Sequence, residues 1–106
     1  MKYKVRHMPK IATDLAKIKV YLAQYYTGTF RRFFIPFKEK TARLKDFPYS
    51  CPIYEADPDY RKLVVQDYIV LYMVNEGTKT VEIHRIFHGS QDISRRLADE
   101  RTDIPQ

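Results

Sequence analysis

Tyr60 to His88, YRKLVVQDYIVLYMVNEGTKTVEIHRIFH, carries the reading of the fold. Three runs, Tyr60–Val65, Tyr68–Val74 and Thr80–His88, are crowded with β-branched and aromatic residues, and two short polar breaks, Gln66-Asp67 and Asn75-Glu76-Gly77-Thr78, divide them. Side chains that branch at Cβ fit a pleated surface, and a two-residue polar gap between such runs signals a hairpin. The stretch therefore predicts a three-stranded meander. Its last strand is odd, because Val81 to Ile93, VEIHRIFHGSQDI, holds two histidines and an arginine before a polar Gly-Ser-Gln-Asp corner. Apolar strands avoid such residues unless they are paired or used.

Working outward, Phe47 to Asp59, FPYSCPIYEADPD, contains three prolines and reads as a loop. Before it the period changes from two to 3.6. Ile11, Leu15, Ile18, Leu22 and Tyr25 recur at steps of four and three and form one stripe of an amphipathic helix, with Lys10, Asp14, Lys17 and Gln24 placed on its solvent side. Gly28 suits the end of that helix and Thr29 the N-cap of the next. The second helix is expected from about Phe30 to Asp46, with Phe30, Phe33, Phe34, Phe37, Thr41 and Leu44 on one side. Pro36 lies inside it, so a kink or a restart is expected there. At the start, Lys2 to His7, KYKVRH, alternates polar and apolar as a short strand does. Ser90 to Leu97 reads as a short helical turn and the final DERTDIPQ as frayed.

The order is β-α-α-β-β-β. It predicts an α+β domain over residues 1–98 with a polar tail over 99–106, the helical hairpin packed on one face of a small, mostly antiparallel four-stranded sheet and the other face partly open.

Composition sets bounds on function. The chain of 106 residues is one domain's length, 44% hydrophobic and 30% charged. No apolar run is long enough to cross a bilayer, and MKYKVRHMPK has no signal-peptide apolar region, so a cytoplasmic protein without a membrane partner is expected. A single cysteine, Cys51, makes no internal disulfide and reads as an inert loop residue. Three histidines and one cysteine make no CxxC or HxxxH pattern beyond His84 and His88, which a strand would hold far apart; neither a metal nor a cofactor is expected. Nineteen Lys and Arg against thirteen Asp and Glu leave a net charge of +6, which favours a polyanionic partner: nucleic acid, the ribosome or an acidic protein segment.

The order of elements resembles the RelE/ParE superfamily of toxins from toxin–antitoxin (plasmid-stabilisation) modules. The residues that carry the resemblance are a first strand near Val5, IATDLAKIKVYL, the LKDFP that closes the second helix, YRKLVVQDYIVLYMV, and IHRIFHGSQDI. They span about residues 3 to 97. The resemblance implies a toxin silenced by an acidic, partly helical antitoxin. It leaves two activities open, of which ribosome-dependent messenger-RNA cleavage through His88, Arg61, Lys62 and Arg85 is the first expectation and gyrase inhibition the alternative. RelE-like members cut messenger RNA on the ribosome, whereas ParE-like members poison DNA gyrase without a hydrolytic centre. A toxin fold without activity is a third possibility.

Metal-free RNA cleavage needs a base for the 2′-hydroxyl, a cation for the charged phosphorane and an acid for the leaving oxygen. His88 is the expected acid or base, because histidine titrates near neutral pH and the ribonuclease members tend to place a catalytic residue at this strand end. The other reading of His88 is a histidine hydrogen-bonded to the Gly89-Ser90 corner. Arg61 and Arg85 are the candidate cations of the site. Arg61 with Lys62 is also a candidate phosphate grip, and His84 a candidate nucleic-acid contact. Strand parity puts His84 beside Glu82 and His88, and Arg85 on the apolar side, where it needs a carboxylate such as Asp92 or Asp67, or a bulge to turn it outward. Tyr68 and Tyr72 read as packing residues with a wet hydroxyl. Gly89 stands where some ribonuclease members carry a tyrosine, Tyr68-Ile69 where others carry an arginine, and HGSQDI looks more like a ParE-type ending.

Overall fold

A computed structural model describes residues 2–24 and 29–89. The element order is β1 (Lys4–His7), α1 (Pro9–Ala23), α2 (Thr29–Arg43), β2 (Arg61–Val65), β3 (Tyr68–Asn75) and β4 (Thr80–His88). The expected α+β architecture is present. The sheet order is β1-β4-β3-β2, with β1 parallel to β4 and the other pairs antiparallel.

The helices cover one face. Ile11 and Ile18 of α1, Phe33 and Phe37 of α2, and Leu44 just past it meet Val65, Val70, Tyr72, Val81, Ile83 and Ile86 of the sheet in one core. The phenylalanines of α2 stack along the helix, with the Phe33 and Phe37 rings 5.7 Å apart and Phe33 tilted 4.7 Å from Tyr68. On the other face a smaller cluster of Tyr60, Leu71 and Phe87 is flanked by Tyr54, Ile69 and Met73. The proline-rich loop pairs along β2, Tyr54 N–H to the Tyr60 carbonyl at 2.8 Å and Lys62 N–H to the Pro52 carbonyl at 3.0 Å, and so covers part of that sheet edge.

Pro36 neither divides α2 nor restarts it: one helix runs from Thr29 to Arg43. Proline has no N–H, so the carbonyl of Arg32, one turn back, loses its intrahelical donor. The side-chain amide of Gln66, at the β2–β3 hairpin tip, donates to that carbonyl at 2.8 Å. Gln66 has a φ of 54°, a left-handed conformation costly for a non-glycine residue. Nearby, Lys40 Nζ donates to the Val64 carbonyl at 3.1 Å. The hairpin tip thereby supplies the donor that the helix lacks.

Asp14 lies inside, against the expectation that it takes the solvent side; it is 5% exposed. β1 ends opposite Ile83, so the last part of β4 has no neighbouring strand on that side. α1 runs along this gap, and the Asp14 carboxylate accepts the Ile86 backbone N–H at 2.9 Å. It also accepts Arg85 Nε at 2.9 Å and Nη2 at 3.2 Å. Asp14 is thus the carboxylate that Arg85 needs, in place of Asp92 or Asp67. Asp92, the expected turn over Ser90–Leu97 and the tail from 99 to 106 lie outside the described residues.

Candidate functional site

β4 contains one extra residue. The register passes from Leu71 opposite Arg85 to Tyr72 opposite Ile83, leaving His84 as a bulge. A bulge shifts side-chain alternation, so residues on either side of it exchange faces. Glu82 and His84 lie on the open face. His88 is paired with Tyr68, on the side of the helices, with the two rings edge-on at 5.3 Å. The expected alignment of Glu82, His84 and His88 on one side is therefore corrected by this bulge.

The candidate catalytic residues are not gathered in one place. Arg61 stands opposite Tyr72, whereas His88 is opposite Tyr68. Four residues of strand separate those positions, roughly 13 Å at 3.3 Å each. Arg61 is turned to the loop, where Nη1 donates to the Cys51 carbonyl at 2.6 Å and the guanidinium lies 4.9 Å from the centre of the Tyr49 ring. Arg85 is buried, doubly bonded to Asp14, with its guanidinium 4.6 Å from the centre of the Phe87 ring.

A different constellation occupies the open face. His84 Nε2 is 3.2 Å from Glu82 Oε1, both half-buried. The Tyr60 ring meets His84 edge-on at 5.5 Å. Lys62 is opposite Leu71, which is opposite Arg85 beside the bulge, and Arg6 of β1 is opposite Glu82. A hydrogen-bonded histidine, a tyrosine and two cations thus share the sheet face that also carries the Tyr60, Leu71 and Phe87 cluster. Of the expected nucleic-acid contacts, Lys62 and His84 meet here, while Arg61 is absent. Arg6 was not singled out from the sequence, although the alternation in KYKVRH places it on the same face as Lys2 and Lys4, opposite Val5.

At another edge, three segments distant in sequence converge on Glu76. Its carboxylate accepts from Tyr3 Oη at 2.8 Å, from Lys79 Nζ at 2.7 Å, and also from Tyr49 Oη. Lys79, then Tyr49 and Tyr3, hold the Glu76 carboxyl well down, at about 2. The same contact with Glu76 pushes the Tyr49 hydroxyl up to about 12. Tyr72, fully buried, donates to the Pro48 carbonyl at 2.9 Å, and burial pushes its hydroxyl up. The Tyr72 hydroxyl is therefore bonded inside rather than wet. Burial likewise lowers His7, whose ring lies 6.0 Å from that of Phe37. Among the described residues no group of three metal-ligating side chains occurs, and no helix is long and apolar enough to cross a membrane.

A helical hairpin laid on one face of a four-stranded sheet of this topology defines the RelE-like class of small toxin folds. The chain belongs to a family within it: the family described as the ParE toxin of the type II toxin-antitoxin system parDE matches residues 5–93. Solved structures agree in fold. Escherichia coli toxin RelE, a double arginine-to-alanine mutant in the free state, is 16% identical over 95% of this chain and 98% of its own, with a TM-score of 0.59. The toxin in the RelBE2 toxin-antitoxin complex of Mycobacterium tuberculosis is 20% identical over 83% of this chain and 99% of its own, with a TM-score of 0.53. The archaeal RelE-RelB complex of Pyrococcus horikoshii OT3 gives 19% identity over 86% and 99%, with a TM-score of 0.50. No curated protein sequence matches the chain. It is a toxin of a type II toxin–antitoxin system.

Proposed function

We propose that this toxin stops growth by binding its target rather than by cutting RNA, that the target is DNA gyrase, and that an acidic antitoxin neutralises it. The observation that carries the reading is the dispersal of His88, Arg61 and Arg85, with Arg85 committed to a buried pair with Asp14. An arginine with two bonds to a buried carboxylate is not available to stabilise a phosphorane. Gly89 supports the same reading. Its N–H bonds the Asp67 carbonyl at 2.7 Å, and a Cβ there would stand 3.2 Å from that oxygen. A tyrosine at this position, as in some ribonuclease members, would crowd the hairpin tip.

Induction of the chain without its antitoxin tests the proposal. DNA-damage signalling and cleaved supercoiled plasmid should precede any fall in labelled-methionine uptake. The opposite order, with messages cut inside translated codons, overturns it; growth unaffected by induction would leave a toxin fold without activity.

The His84–Glu82 pair favours a second reading, messenger-RNA cleavage at the open face. There His84 would move the proton, Glu82 would orient its ring, and Lys62 and Arg6 would hold phosphate. In that case His84→Gln should lower cleavage on the order of a hundredfold, and His88→Gln should leave it unchanged. Equal toxicity of wild type and His84→Gln removes this reading.

A further inference from the structure

The positive charge of the chain is unevenly placed. Residues 9–43, the two helices and their connection, hold eight of the nineteen Lys and Arg and only two of the thirteen acids, Asp14 and Glu39. Residues 44–106 hold eight cations against eleven acids. Asp14 is buried and already paired, so Glu39 is the one acid exposed on the described part of the helices. On α2, Arg31, Arg32, Lys38 and Arg43 are exposed, and among the described residues no ion pair engages them. Arg31 and Arg32 stand in the first turn, which has no acid; there the helix dipole opposes cations. A local rule broken in this way without a structural partner marks a functional surface.

The four side chains form two rows. Arg31 and Lys38 are seven residues apart and Arg32 and Arg43 eleven, so each pair shares a side of the helix at 3.6 residues per turn. Ile35, Glu39 and Ala42 form the ridge between the rows, and the phenylalanines of α2 face inward or are half-buried. We infer that α2 is a docking surface for the phosphate backbone of duplex DNA. The helix would lie along the major groove with one row toward each wall. A helix about 10–12 Å across fits the roughly 12 Å major groove of B-form DNA. The major groove of A-form RNA is too narrow for it, and single strands call for stacking rings that the outer side of α2 does not present. A protein partner would need an apolar centre, for which this ridge offers Ile35 and Ala42 alone. The inference goes beyond the gyrase reading and is measured without gyrase, so either can fail alone.

The experiment is fluorescence anisotropy of a labelled 20-base-pair duplex of arbitrary sequence with the full-length chain, from 50 to 200 mM salt. Each phosphate neutralised contributes about 0.9 to the slope of log K against log salt. Replacing Arg31, Arg32, Lys38 and Arg43 together by Gln should lower that slope by roughly three to four and weaken binding at 50 mM. A paired Lys2→Gln, Lys4→Gln variant, at the exposed start of the first strand of the sheet, should keep the slope. Circular dichroism melts of both variants establish that they fold. An unchanged slope in the helix variant, or loss in the sheet variant instead, overturns the inference. So does tighter binding of the matching RNA duplex, or of a poly-glutamate peptide, than of DNA.

Discussion

Asp14 does two jobs at one position. Its carboxylate ends the unpaired edge of β4 by accepting the Ile86 N–H and neutralises Arg85 in the same contact. Both side chains are nearly out of water, Asp14 at 5% and Arg85 at 9% exposure. Removing one partner of a buried pair leaves an uncompensated charge, which costs about 3–5 kcal/mol, whereas replacing both by apolar residues of similar size is far milder. Asp14→Ala and Arg85→Ala should each lower the unfolding free energy, read from denaturant titration, by that amount, and Asp14→Leu with Arg85→Met should recover most of the loss. A double variant as unstable as the sum of the singles would show that the two residues act separately. Arg85 was legible as a residue in need of a carboxylate, because its parity placed it on the apolar side. Its partner was not legible. Asp14 falls beside the apolar stripe of α1 and looks solvated until β1 proves too short to cover β4.

At the scale of elements, α2 and the β2–β3 hairpin complete each other through Pro36 and Gln66. The Gln66 amide stands in for the N–H that Pro36 lacks, 2.8 Å from the Arg32 carbonyl. A net hydrogen bond of this kind contributes about 0.5–1.5 kcal/mol. Gln66→Ala should cost that much in the wild type and close to nothing in a Pro36→Ala background, where the restored helical N–H satisfies Arg32. Equal losses in both backgrounds, measured by a double-mutant cycle, would rule out the compensation. The elements themselves were readable because each is strongly periodic. All six occur in the expected order, and α2 buries Phe33, Phe37 and Thr41, with Leu44 just past its end, as their spacing requires. The candidate site was less readable for a physical reason. Period-two alternation assigns faces only while the ladder is regular, and one bulged residue, His84, separates His88 from Glu82. No residue type at that position announces the bulge.

At the scale of the whole molecule, Glu76 joins the N-terminal segment, the proline-rich loop and the β3–β4 turn, since it accepts from Tyr3, Tyr49 and Lys79 at once. Such a junction holds the ends of the sheet together and should show in the acid limb of stability. The folded carboxyl titrates near 2 and the free one near 4.5. The unfolded state therefore binds the proton first as pH falls, so the contribution of Glu76 is complete above about 4.5 and is lost on the way down to 2. Glu76→Gln lacks the charge at every pH. Its melting temperature should lie below that of the wild type at pH 6, and the difference should close between pH 4.5 and 2. Tyr49→Phe, which removes one of the three donors, should lie between the two. A gap of constant size across that range would mean that Glu76 acts through shape alone, and that the charge at this junction contributes nothing to the fold.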